Sequence, residues 1–92
     1  MPNRVVFSKR ALAKLLSIEN YLMERTPSGA SNVIREIHQS TSFLEQFPLM
    51  GTEIAGTSTR YHRTRKYKYR IVYRIRGQRV EILQIYHPAQ KK

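Results

Sequence analysis

The apolar positions of this chain change their spacing once, from a helical repeat to a two-residue alternation, and the change divides the chain into two halves. A short β-prone run, Arg4-Val5-Val6-Phe7, comes first and predicts a strand. Ser8 then offers its hydroxyl as an N-cap. Ala11, Leu15, Ile18 and Leu22, flanked by Leu12 and Leu16, fall at i, i+4, i+7 and i+11, which predicts a helix to about Met23. The stretch RTPSGAS interrupts the repeat, because Pro27 disfavours a helical residue before it and Gly29 loosens the chain. Ser28 is the expected N-cap of a second helix, from roughly Gly29 to Phe47. There Ala30, Val33, Ile34, Ile37, Leu44 and Phe47 form a stripe whose one gap is filled by Thr41, and Pro48 ends it.

The segment PLMGTEIAGTST carries the composition of a loop. Beyond it, alternation places Tyr61, Tyr67, Tyr69, Ile71, Tyr73 and Ile75 on one side of an extended strand pair, and His62, Lys66, Lys68, Arg70, Arg74 and Arg76 on the other. Arg76-Gly77-Gln78-Arg79 reads as a tight turn, with Gly77 free to take a positive φ. Val80 to Tyr86 is a nearly continuous apolar run, as expected of a strand inside a sheet, and HPAQKK is a short tail. The order is therefore β-α-α-β-β-β. Two amphipathic helices and a sheet with one apolar side bury their stripes by packing together. The expected fold is one α+β domain over residues 1–92, with both helices on one face of a small, mainly antiparallel twisted sheet. The opposite face, carrying the basic positions, is left open.

Composition sharpens that picture. The chain has 92 residues and no cysteine, so neither a disulfide framework nor a thiolate metal site is expected. His38, His62 and His87 are far apart in sequence, with no Asp beside them, and neither metal nor cofactor is expected. No apolar run approaches the roughly 20 residues of a membrane span, so a soluble, cytoplasmic protein is the expectation. The net charge is +11, and its distribution is uneven. Residues 1–59 hold six Arg and Lys against five Glu, whereas residues 60–92 hold eleven against Glu81 alone. Charge segregated in this way attracts polyanions, whether nucleic acid or an acidic protein segment.

The element order, the FPLMG punctuation, the strand YRIVYRI and the last strand ILQIYHPAQ running into a His together resemble the RelE/ParE superfamily of toxins from type II toxin–antitoxin systems. The likeness covers nearly the whole chain, and the FPLMG element and the His-ending strand are more similar to the ParE-like branch. The resemblance implies a toxin neutralised by a small acidic antitoxin of the ParD or RelB kind, whose C-terminal segment folds as it wraps the toxin. It further implies inhibition of DNA gyrase and a role in plasmid stabilisation. The RelE-like alternative is a ribosome-dependent mRNA endonuclease. A third reading, from the basic sheet alone, is a non-catalytic nucleic-acid-binding protein with steeply salt-dependent affinity.

Cleavage by 2′-hydroxyl attack requires a base, a cation on the phosphorane and an acid for the leaving oxygen. By resemblance, Arg70 in Tyr69-Arg70-Ile71-Val72-Tyr73 matches the strand Arg of RelE-like enzymes. Arg63 and Arg65 match the basic positions upstream, and His87 is the candidate acid or base. The HPAQKK ending departs from that branch, which carries a further Arg and Tyr there. Each candidate also has a plainer role: Arg70 pairing with Glu81 or an antitoxin carboxylate, His87 bonding backbone, and the tyrosines packing under the helices. In the gyrase reading, Lys66, Lys68, Arg70, Arg74 and Arg76 form the surface that meets antitoxin and target.

Overall fold

The computed structural model describes residues 4–89, so Gln90, Lys91 and Lys92 of the expected tail lie outside the described residues. Strand β1 (Arg4–Phe7) leads into helix α1 (Lys9–Arg25). The Ser8 hydroxyl accepts from the Ala11 amide at 3.0 Å and donates to the Leu83 carbonyl at 3.2 Å, so one side chain starts the helix and ties it to the sheet. Ala11, Leu15 and Ile18 are buried along the expected stripe.

Helix α2 (Pro27–Gln46) begins earlier than the sequence suggests. Thr26 alone separates the helices: its amide closes α1 on the Leu22 carbonyl, and its carbonyl accepts from Ala30 in the first turn of α2. Pro27 does not break a helix here. It occupies the first helical position, where a missing N–H goes unused and a fixed φ is already helical. Ala30, Val33, Ile37 and Leu44 are buried, and Thr41 fills the gap in the stripe by bonding its hydroxyl to the His38 carbonyl at 3.0 Å.

After a 3₁₀ turn (Pro48–Met50) come β2 (Thr52–Glu53), β3 (Arg60–Arg63), β4 (Arg70–Arg76) and β5 (Arg79–Tyr86). The two-residue β2 lies in the segment read as loop. Too short for any period to show, it pairs with β3 through Thr52 opposite Tyr61 and Glu53 opposite Arg60. The sheet order is β1-β5-β4-β3-β2, with β1 parallel to β5 and every other pairing antiparallel. The apolar run of β5 is thus interior, as expected. A bulge leaves Leu83 between Ile82, opposite Tyr73, and Gln84, opposite Val72, and so turns both Ile82 and Ile85 inward. The edge strand β1 is covered in part by Glu45 of α2, which accepts from the Val5 amide at 3.2 Å.

The core fills the space between the helices and the inner sheet face: Ile37, Leu44, Ile71, Tyr73, Val80, Ile82 and Ile85 are all 0% exposed. Tyr73 holds the 3₁₀ turn in place. Its hydroxyl donates to the Pro48 carbonyl at 2.6 Å and accepts from the Gly51 amide at 2.9 Å. Burial pushes this phenol's pKa up, against smaller opposing effects of the Gly51 amide and Arg60, which keeps it a neutral donor. Arg60 completes the attachment with bonds to the Leu49 and Gly51 carbonyls and to Glu53. The FPLMG punctuation is therefore a docking element, clamped by one tyrosine and one arginine.

Candidate functional site

Cross-strand register decides which basic residues share a face. Arg63 stands opposite Arg70, and Arg70 opposite Tyr86, so one row runs across β3, β4 and β5 on the face turned away from the helices. The next rows join Tyr61 with Val72 and Gln84, Arg74 with Glu81, and Arg76 with Arg79. The Arg70 guanidinium lies 4.2 Å from the centroid of the Tyr61 ring, its diagonal neighbour. Glu81 does not pair with Arg70, the partner that sequence suggested. It accepts from Arg74 at 2.7 Å and meets Arg79 at 3.2 Å. The Arg74 bond outweighs the opposing effect of burial and, with the nearby Arg79 and Arg76 charges, holds the Glu81 carboxyl below its ordinary value.

Two sequence assignments are reversed here. Tyr61 lies on the open face and His62 on the helix side, opposite Ile71, because the alternation does not run unbroken from residue 61 to residue 75. Residues 64–69 form a turn instead. The Thr64 amide donates to the Tyr69 carbonyl at 2.7 Å, the Tyr69 amide to the Thr64 hydroxyl at 2.9 Å, and Lys68 takes a φ of +64°. Lys66 and Lys68 consequently leave the sheet and project with Arg65 from its end. No Gly or Pro marks this turn. A carboxylate holds it: Glu36 of α2 accepts from the Lys66 amide at 2.5 Å and from the Tyr67 amide at 3.0 Å. Burial raises the pKa of Glu36, but the two amides, the Thr64 hydroxyl and the Lys66 charge together lower it further, leaving a net depression.

The structure thus brings Arg63, Arg65, Lys66, Lys68, Arg70 and His87 to one end of the molecule, though not onto one plane, and leaves Arg74 and Arg76 nearer the other. Arg63 and Arg70 share the first row, Arg65, Lys66 and Lys68 crown it, and Arg74 and Arg76 continue along β4. His87 follows Tyr86 and sets its ring edge-on to Tyr69 at 5.4 Å, while its Nδ1 accepts from the Ala89 amide at 3.0 Å. Tyr67, Tyr69 and Tyr73 pack against or within the core, as expected of them.

Beside that end lies a cleft of about 420 Å³ that sequence reading missed. Glu36, Gln39, Ser40 and Phe43 of α2 form one wall, and His62, Arg63 and Arg65 form the other. Phe43 and His62 face each other with centroids 5.8 Å apart and ring planes 33° from parallel. Burial lowers the His62 pKa, with Glu36 pulling weakly in the opposite direction. The i, i+3, i+4, i+7 spacing of positions 36, 39, 40 and 43 was the available signal, but the stripe is polar and reads as solvated helix surface.

A family model for the ParE toxin of the type II toxin–antitoxin system, parDE, matches residues 5–91. No relative among curated proteins matches. Among solved structures, the chain is similar to one from the chromosomal ParDE system of P. aeruginosa, with 19% identity and a TM-score of 0.78 over 92% of this chain and 95% of that one. It is also similar to a chain of the intact E. coli RelBE toxin–antitoxin complex, with 15% identity and a TM-score of 0.69 over 97% and 99%. A chain of the RelBE2 complex from Mycobacterium tuberculosis follows, with 23% identity and a TM-score of 0.60 over 95% and 99%. Identities this low carry the shared fold alone.

Proposed function

Because the chain belongs to the ParE toxin family of type II toxin–antitoxin systems, we propose that it is held inactive by an acidic antitoxin segment and, once released, binds and inhibits DNA gyrase. The observation that carries this reading is how Glu36, Glu81 and His87, titratable groups on and around the basic face, are engaged. The two oxygens of Glu36 take backbone amides, Glu81 is bridged by Arg74 and Arg79, and Nδ1 of His87 takes the Ala89 amide. What faces outward is a row of guanidinium groups and phenol rings, suited to gripping an acidic or phosphate-bearing partner rather than to moving protons. Arg60, by contrast, is turned inward onto the 3₁₀ turn and takes no part.

An antitoxin segment supplying carboxylates to Arg70 and Arg74 would offset part of the chain's net charge of +11. The support for gyrase is the ParE family match itself. Pulse-labelling of DNA and protein synthesis soon after expression of the chain alone tests the target. DNA synthesis falling first, with a damage response, is the expected result. Translation stopping first, with cut transcripts, would replace gyrase by mRNA and make Arg63, Arg65, Arg70 and His87 the active-site set. For the neutralising surface, Arg70→Ala or Arg74→Glu is expected to weaken antitoxin binding in calorimetry.

A further inference from the structure

The cleft between α2 and the β3–β4 turn has a composition of its own. Its lining includes the Phe43–His62 ring pair, and Phe43, which also meets Phe47 with centroids 5.3 Å apart, is 38% exposed. Its rim carries Arg63 and Arg65, which have no carboxylate partner among the described residues. Gln39 and Ser40 supply amide and hydroxyl groups able both to donate and to accept. Glu36 does not oppose an anion as strongly as its charge suggests, because its oxygens are turned onto the Lys66 and Tyr67 amides. A second depression of about 300 Å³ shares Glu36 and Gln39 with the first and extends it past Arg35 and Lys66. From Asn32 to Phe43 this groove follows α2 for on the order of 16 Å at a helical rise of about 1.5 Å per residue.

We propose that this groove binds single-stranded nucleic acid, with one base stacked on the Phe43–His62 pair, its edge met by Gln39 and Ser40, and the flanking phosphates held by Arg63 and Arg65. An acidic peptide would use the cations and leave the ring pair idle. Paired rings beside unpartnered guanidinium groups are the combination that sequence-tolerant strand binders use. The cleft volume lies within the roughly 300–1,000 Å³ of small-ligand sites, enough for one nucleotide. The groove meets the open sheet face at Arg63, which stands opposite Arg70 in the first row, while its rings and the Gln39 and Ser40 side chains lie on the helix side. The proposal does not depend on which macromolecule the protein inhibits.

The test is fluorescence anisotropy of a short labelled oligothymidylate with the full chain, at about 50 and about 200 mM salt. Phe43→Ala is expected to weaken binding about five-fold or more, the loss of one stacked base. Phe43→Leu keeps the side chain apolar and is expected to show the same loss, which separates stacking from folding. Arg63→Ala with Arg65→Ala is expected to flatten the slope of log affinity against log salt by about 1.4, two phosphates at about 0.7 each. Lys9→Ala with Arg10→Ala removes equal charge from α1 and is expected to change affinity less than about two-fold under screening at about 10 Å. In the wild type, added oligothymidylate is expected to shift the amide resonances of Phe43, His62 and Arg65. Equal losses in the α1 pair, full affinity in Phe43→Leu, or shifts confined to Arg70 and Arg74 would each overturn the site. Displacement by an oligoglutamate of equal charge as effective as by unlabelled oligothymidylate would show a patch that recognises charge only, and would also overturn it.

Discussion

Gly51 gives the sharpest test of how the fold is locked. Its φ of −72° and ψ of 158° are open to any residue, so the backbone itself does not require glycine. The space does. A Cβ at this position would sit 2.2 Å from the Tyr73 hydroxyl oxygen and 2.7 and 2.8 Å from two ring carbons. Tyr73 is 0% exposed and surrounded by core, so the ring has nowhere to move, and relief must come from lifting the 48–51 turn. Lifting it breaks both hydroxyl bonds, worth about 0.5–1.5 kcal/mol each, and any residual overlap adds about 1–3 kcal/mol. Gly51→Ala is therefore expected to cost about 3 kcal/mol or more. For a domain of this size that lowers Tm by about 12–24 °C, at about 4–8 °C per kcal/mol. Tyr73→Phe alone is expected to cost about 1–3 kcal/mol, since it strands the Gly51 amide. In that background Gly51→Ala is expected to cost less than in the wild type, because the 2.2 Å contact has gone while the ring contacts remain. Thermal and urea denaturation of the four proteins of this cycle measure it. A Gly51→Ala protein within about 0.5 kcal/mol of wild type, or strictly additive costs, would refute the account of the clamp.

Other consequences follow from the carboxylates. The depressed pKa of Glu36 means that its stabilisation is complete above the ordinary value of 4.5 and is lost as pH falls through the lower folded value. Acid denaturation of Glu36→Gln is accordingly expected to be flatter than that of wild type below pH 4.5, and an unchanged acid limb would count against the clamp on the turn. Exchange at the Lys66 and Tyr67 amides is expected to quicken about ten-fold in Glu36→Ala, the worth of a charged acceptor. Arg74→Ala is expected to return the Glu81 carboxyl towards its ordinary value in a carboxyl NMR titration, because Arg74 is the chief cause of its depression.

How much of this could be read from the chain depends on where local patterns are allowed to run. The stripe of α1, the Thr41 gap in α2 and the interior position of β5 were legible because each rests on more than one turn or several strand residues. Tyr61 and His62 exchanged faces because a turn with no Gly or Pro interrupts the alternation, and its stability comes from Glu36, about thirty positions earlier. Lys68 adopts a left-handed conformation that its residue type rarely announces. The basic cluster was visible from charge alone, yet its partition between sheet and turn was not. The cleft was invisible for the same reason: its walls come from α2 and from the far side of that turn, and only the tertiary contact brings Phe43 to His62.

The position of β5 has a consequence for biosynthesis. It is the last strand in chain order and lies between β1 and β4 in the sheet. Synthesis from the N-terminus delivers both neighbours first, with an empty slot between them and the inner faces of α1 and α2 lacking Val80, Ile82 and Ile85. A chain stalled before Arg79 has no strand joining β1 to β4, and Arg74 has no Glu81 to orient it. The row that runs from Arg63 through Arg70 to Tyr86 is complete only when translation has passed Tyr86. A product ending before Arg79 therefore lacks the strand between β1 and β4 and is expected not to reach the finished fold.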